Sequence, residues 1–482
     1  MAYRAGVSPP DVRHPIALFV FGLLLHAIWG TTIPIPEDWD AQYYLVVARS
    51  ITQGDGPVTQ SLWTLGVLPQ SLPLTADLHW MPLPSRVLVP GLMAWPEHGA
   101  QLVTVLLAAT WGPLAWATAR KARATPSTAL GAGMLAALGG GWARLASTPD
   151  CYALYGAIGG AAFLAAAHRS WRWTALFAAL AGLCRGDGFL LGLALMVAFK
   201  RRDGLLVAAA GLGAAAAWAL RCYLVAGEDY VTARALAANI ATYVQLYEGV
   251  AEPLDIAHRF QLALQATPQV IEAWLFPGMA VLTPFAVAEI LRRRHTERWV
   301  IAVALAAFAL PVIAVLLAPV VAAHGSLARS ATAVAPAHCA LATIGLVRLG
   351  RKAAAMRGYP SRFVPTVVGG AFAVIALGVG AMRAAAPDPL APKRCHPVAH
   401  LPAGPPVFTS EPLALEAQCG RAGVMITSTT HPNRAAAIAL RYGVTHAVTL
   451  DVMDEGSLTD ADVPRVLPGW TKVGPHLWQR PD

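Results

Sequence analysis

Long apolar runs alternate with tight clusters of arginine and lysine along nearly the whole chain, and no other feature restricts the fold as strongly. The clusters are Arg120, Lys121 and Arg123; Arg169 and Arg172; Lys200, Arg201 and Arg202; Arg292, Arg293, Arg294 and Arg298; and Arg348, Arg351, Lys352, Arg357 and Arg362. About 20 apolar residues suffice for a helix to cross the hydrocarbon core of a bilayer, and short basic loops stay on the cytoplasmic side. Only 13% of the 482 residues are charged and mean hydropathy is +0.51, whereas a soluble domain is about 25% charged. The pattern predicts a mostly α, polytopic transmembrane bundle. The net charge of +9 sits in the short clusters, so it reports topology, and no nucleic-acid partner is expected.

With the N-terminus cytoplasmic, single spans fall at about 16–33, 99–118, 126–142, 151–167, 204–224, 270–291, 299–321, 331–347 and 363–382. The first follows Arg4 and Arg13 as a secretory signal would, but no small-residue cleavage site precedes Pro34, and it reads as retained. The run 173–199 begins and ends at basic clusters, which predicts two half-spans folded as a hairpin and broken at 184–188 by Gly186 and Gly188. Counting the hairpin as two gives about 11 crossings, a long first outer loop at 34–98, and an outer C-terminus.

The composition changes at about residue 383. Prolines become frequent, and short apolar runs at 407–410, 424–427 and 446–450 alternate with helical stretches at 412–417 and 433–442. This predicts a small extracytoplasmic α/β domain over 383–482 after a membrane domain over 1–382, closed by a hairpin near 470–479. Of the six cysteines, only Cys395 and Cys419 fall in this outer domain, where oxidation is allowed, so they are expected to form a disulfide. The chain has no CxxC pair, so zinc-ribbon and thioredoxin-like readings have no support.

Charges beside the outer face are few. Glu37, Asp38 and Asp40 follow the first span, and Tyr44 and Ala48 continue from Asp40 at helical steps of four. His79 lies in a proline-bounded turn, Asp150 opens the fourth span, Arg185 and Asp187 sit at the hairpin break, and Arg329 precedes the ninth apolar run. Each has a structural alternative: a solvated loop, an interfacial anchor, a helix cap, or mutual neutralisation of Arg185 and Asp187. A carboxylate base beside cations is also what glycosyl transfer from a lipid phosphate requires. The base takes the acceptor proton and the cations stabilise the leaving phosphate.

The spacing of Asp40, Tyr44, Ala48 and Gly54 resembles the first outer loop of the GT-C superfamily of polytopic glycosyltransferases, in the protein mannosyltransferase and lipid A aminoarabinose transferase branch. His79 through Leu83 resembles that branch's later His/Lys-Pro-Pro-Leu element, Asp150 its second-loop aspartate, and Arg185 its hairpin cation. Many members carry Asp-Glu where this chain has Asp40 and Ala41. Either Asp38 or Glu37 supplies the second carboxylate, or a divalent metal is not bound; no other cofactor is implied.

The resemblance implies inverting transfer of a sugar from a polyprenyl-phosphate donor to an envelope glycan, lipid or protein, in a bacterial inner membrane. Asp40 is the expected general base with Asp38 second. Arg185, His79 and Arg329 are the expected donor-phosphate contacts, and Asp150, Tyr44 and Glu37 the acceptor or sugar contacts. A transporter of lipid-linked sugars or a non-catalytic GT-C-like protein are the alternatives. The charges gather at one face and no internal repeat is visible, which disfavours a transporter.

Overall fold

A computed structural model describes residues 12–31, 39–66, 68–139, 145–240, 242–250, 255–265, 279–293, 297–317, 327–368, 370–371, 374, 395, 397–399, 401, 404–449 and 456–481. The apolar runs form helices α1 (Arg13–Thr31), α4 (Gly99–Ala109), α5 (Trp111–Lys121), α6 (Pro126–Ala137), α7 (Cys151–Ala167) and α10 (Arg201–Ala226), with α2 (Trp39–Gln53) and α3 (Leu83–Ala94) between the first two. The run 173–199 is a broken pair, α8 (Trp171–Cys184) and α9 (Phe189–Met196), both packed on α10. Among the described residues, Arg13–Thr31, Gly99–Lys121 and Arg201–Ala226 are long and apolar enough to cross a membrane, while Leu83–Ala94, Cys151–Ala167 and Trp299–Ile313 are apolar but shorter.

After α10 come α11 (Glu228–Asn239), α12 (Tyr243–Glu248), α13 (Ile256–Gln265) and α14 (Met279–Arg293). Then α15 (Trp299–Ala304) passes through a π-turn, Leu305–Ala309, into α16 (Leu310–Leu317). The expected span at 331–347 is two helices, α17 (Leu327–Thr332) and the long α18 (Ala335–Met356). Most of the expected final span, 363–382, lies outside the described residues.

Alanine and glycine let these helices approach closely, as in bilayer bundles where apolar transfer gives little drive for association. Ala132, Ala162, Ala337 and Ala340 are fully buried in the main core. A Cβ on Gly159 of α7 would stand 2.0 Å from the Ala333 carbonyl oxygen, so that glycine lets the segment carrying Arg329 lie against α7.

Two features of the first loop differ from expectation. Helix α3 forms even though Pro82 and Pro84 read as breakers, because Pro84 falls in the first turn, where a helix needs no amide donor. The loop also does not stand apart from the C-terminal segment. The latter is a five-stranded mixed sheet in the order β4-β3-β5-β7-β6, built from β3 (Val407–Thr409), β4 (Gly423–Met425), β5 (His446–Val448), β6 (Thr471–Gly474) and β7 (Leu477–Gln479), after the first-loop strands β1 (Val58–Thr59) and β2 (Leu74–Thr75). The parallel pairs β3–β4 and β3–β5 are spaced by α19 (Pro412–Cys419) and α20 (Pro432–Tyr442).

Leu62 of the first loop extends the β4 edge. Its amide donates to the Gly423 carbonyl at 2.9 Å, and its carbonyl accepts from Met425 at 2.7 Å. Leu62 and Leu65 are buried in the same core as Phe408, Val424 and Ile438. Cys395 and Cys419 form a disulfide, with Cα atoms 5.5 Å apart, at the C-terminal end of α19. Arg49 of α2 donates to the Ala417 carbonyl at 2.6 Å, which ties α19 to the helix that begins beside Asp40.

Candidate active site

Asp40 occupies the first turn of α2, where the helix dipole favours a carboxylate. Its Oδ1 accepts from Trp80 Nε1 at 2.8 Å, and its Oδ2 stands 3.1 Å from Arg329 Nε. Asp150 caps α7: one carboxylate oxygen accepts from the Cys151 amide and the other from Arg329 Nε at 3.3 Å. Two carboxylates from distant segments therefore converge on one guanidinium, which also lies 5.2 Å from the centre of the Tyr152 ring. The Asp150 side chain is fully buried, Arg329 is 6% exposed, and Asp40 is the most open of the three at 24%.

A second cluster adjoins the first through the neighbouring residues Arg329 and Ser330. Arg185 ends α8 in extended conformation, and Gly188 turns so tightly that a Cβ there would stand 1.9 Å from the Ala181 carbonyl oxygen. Arg185 Nε donates to Asp187 Oδ1 at 2.8 Å, its terminal nitrogens reach Ser330 Oγ at 3.4 Å and Cys151 Sγ at 3.6 Å, and Tyr155 lies under the guanidinium. The Ser330 hydroxyl donates to Asp187. Arg185 and Asp187 thus form an ion pair, with Ser330 as a third member. Beside the cluster a narrow cavity is lined by Tyr155, Asp187 and Ser330 at one side and by Leu190, Leu191 and Pro311 among its apolar walls.

Other expected residues fall differently. Tyr44 is buried one turn after Asp40 on α2. His79 is not among the cations of the site. Its ring packs against Trp63 at 5.0 Å and Trp80 at 4.8 Å. Burial, with a smaller push from Arg234, drives its pKa down to about 3, so it is neutral at ordinary pH. Glu37 and Asp38 lie outside the described residues.

The turn carrying His79 and Trp80 is itself fixed. Asp77 takes positive φ, its amide donates to the Tyr43 hydroxyl, and its carboxylate accepts from Arg86 at 2.6 Å. Burial pushes the Asp77 carboxyl up, against the pull of Arg86. Trp218 of α10 donates to the Asp77 carbonyl at 3.2 Å.

No family model matches the chain, and no curated protein matches it. Solved structures do match its fold. The archaeal oligosaccharyltransferase AglB from Archaeoglobus fulgidus, solved with an inhibitory peptide and a dolichol-phosphate, is similar with a TM-score of 0.52 and 13% identity, over 90% of this chain and 69% of that one. The apo oligosaccharyltransferase of Archaeoglobus fulgidus has a TM-score of 0.51 at 10% identity, with the same coverage of 90% and 69%. ArnT from Cupriavidus metallidurans bound to undecaprenyl phosphate has a TM-score of 0.43 at 14% identity, over 76% of this chain and 71% of that one.

The chain shares the fold of the archaeal oligosaccharyltransferase. At such identities the likeness is one of fold, and roles must be read from the site. A divalent metal here would need carboxylates converging on a shared point. Asp40 and Asp150 do converge, but on the Arg329 guanidinium. Among the described residues no group of three or more His, Cys, Asp or Glu gathers. The described residues do not fit a metal there, and no step is derived through one.

Pattern reading did not single out Trp80 or Ser330. Each is a neutral donor, and the only signal was adjacency to a residue already singled out, His79 in one case and Arg329 in the other.

Proposed function

We propose that this GT-C chain is an integral membrane glycosyltransferase that moves a sugar from a polyprenyl-phosphate donor to an extracytoplasmic acceptor hydroxyl. The observation that carries the reading is the convergence of Asp40 and Asp150 on buried Arg329, one residue from the Arg185–Asp187–Ser330 cluster. The dolichol-phosphate and peptide bound by the archaeal oligosaccharyltransferase support a lipid-phosphate carrier and a separate acceptor.

In this reading Asp40, the most open carboxylate, takes the acceptor proton. The acceptor oxygen bonds to the anomeric carbon as the bond from that carbon to phosphate oxygen breaks, and the electron pair leaves on the lipid phosphate. One displacement inverts the anomeric centre and needs no second carboxylate nucleophile. Arg185 and Arg329 supply positive charge to the departing phosphate, and the cavity at Leu190, Leu191 and Pro311 offers an apolar surface beside them. Asp150, wholly buried, acts as a positioning group for Arg329 and not as a sugar contact.

Radiolabelled-sugar transfer from a purified polyprenyl-phosphate donor to extracted envelope fractions tests the reading. Donor-dependent labelling that Asp40→Asn abolishes is the expected result. Vesicle uptake of lipid-linked sugar without transfer would replace it with a transporter.

A further inference from the structure

We propose that Trp80 is a positioning residue that anchors Asp40 Oδ1 and so fixes the orientation of the carboxylate that takes the acceptor proton; this rests on the reading of Asp40 as general base. The indole N–H meets Oδ1 at 2.8 Å, the length of a hydrogen bond strengthened by an ionised acceptor. With Oδ1 held by Trp80 and Oδ2 by Arg329 at 3.1 Å, the plane of the carboxylate is set from both sides.

The anchor is held on every side. The Trp80 ring stacks on Tyr43 with centroids 4.0 Å apart and an interplanar angle of 23°. Trp63 meets it edge-on at 4.7 Å and His79 at 4.8 Å. Tyr43 lies on α2 itself, three residues after Asp40, and its hydroxyl accepts from the Asp77 amide. The indole therefore staples the turn after Asp77 to the helix that begins beside Asp40.

The charged and titratable groups facing the carboxylate are Arg329 from α17, with Asp150 behind it on the same guanidinium, and Tyr44 from α2. His79, adjacent to the anchor, is held neutral by burial and does not compete for Asp40 as a cation. Trp80 thus supplies a directional neutral donor on one oxygen, and Arg329 supplies charge on the other.

The test uses the full-length protein in detergent or nanodiscs with a polyprenyl-phosphate sugar donor. Trp80→Phe keeps an aromatic ring against Tyr43 and removes the N–H. Replacement of Trp80 by 3-benzothienylalanine keeps the indole shape and removes only that donor, which serves if the phenylalanine variant folds poorly. Expected in both variants is a fall in kcat of about tenfold with donor KM unchanged. A packing role alone would leave kcat near normal in the benzothienyl variant. Unchanged kcat in that variant, with Asp40→Asn inactive, overturns the anchor and spares the base. Near-normal turnover in Asp40→Asn overturns both.

Discussion

Arg329 and Asp150 are 179 residues apart in the chain, yet their side chains meet at 3.3 Å with the carboxylate wholly enclosed. Such a contact between distant helices is fixed only when the fold is complete, and its two ends are unequal. Asp150 accepts from the Cys151 amide with one oxygen at the start of α7 and from Arg329 with the other.

Arg329→Met should therefore destabilise the chain by about 3–5 kcal/mol, the range for breaking a buried pair and stranding one charge. Adding Asp150→Asn should recover part of that loss, because the stranded charge is removed. Thermal unfolding followed by size-exclusion recovery of the two variants measures the difference. Equal loss in the single and double variants would show that the pair is not coupled.

Asp40 and Asp150 should separate when activity is expressed per folded molecule. Asp40→Asn keeps shape and most hydrogen bonding, so folding should be near normal while turnover falls about 10²–10⁴-fold, the range for a general base. Asp150→Asn should chiefly lower yield and melting temperature, with a smaller loss of rate in what remains folded.

Arg185→Ala should raise donor KM and lower kcat together, because the lipid phosphate is anionic before and after transfer. Arg185→Lys should restore charge but not the several-point contact with Asp187, Ser330 and Cys151, and so should recover KM more than kcat. His79→Gln should leave donor KM unchanged, since the neutral ring supplies no charge. A large KM increase there would return His79 to the donor site.

The docking of α19 on the first loop should depend on pH. Glu416 accepts from Thr59 Oγ1 and the Gln60 amide, both at 2.9 Å, and burial raises its carboxyl above the ordinary range despite those donors. A folded pKa above the unfolded value, about 4.3, makes a contribution fully present below that value and lost as pH rises through the folded pKa. Stability should fall across that window in the native protein, and Glu416→Gln should flatten the dependence. Melting temperatures of both proteins from pH 4 to 8 provide the check.

Removing the Cys395–Cys419 bridge, whose ends are 24 residues apart, should cost about 2–4 kcal/mol. The loss belongs to the C-terminal sheet and to α19. Protease sensitivity near residues 395–420 should increase before turnover changes.

Much of this architecture was legible because membranes impose simple rules. Apolar length and basic clusters located the helices, Gly186 and Gly188 located the break between α8 and α9, and alternating apolar runs located β3, β4 and β5 to within about two residues. Asp40, Asp150, Arg185 and Arg329 stood out because charge beside a bilayer is rare. Trp80 and Ser330 did not, since neutral donors have no periodic signature and their partners lie far away in sequence. His79 read as a cation because nothing near it in the chain shows that Trp63 would enclose it. Helix α3 was hidden by prolines whose cost depends on their place within the first turn. Leu62 joining β4 had no signal, because one residue of extended backbone carries no pattern.

That last contact makes the order of synthesis matter. The first loop is complete some 325 residues before its β4 partner has been made. Until then Leu62 and Leu65 have no Phe408, Val424 or Ile438 to cover them. A chain cut short before β3 would carry every residue proposed for chemistry yet leave those two leucines without their apolar cover. This core therefore closes only after synthesis has passed β4.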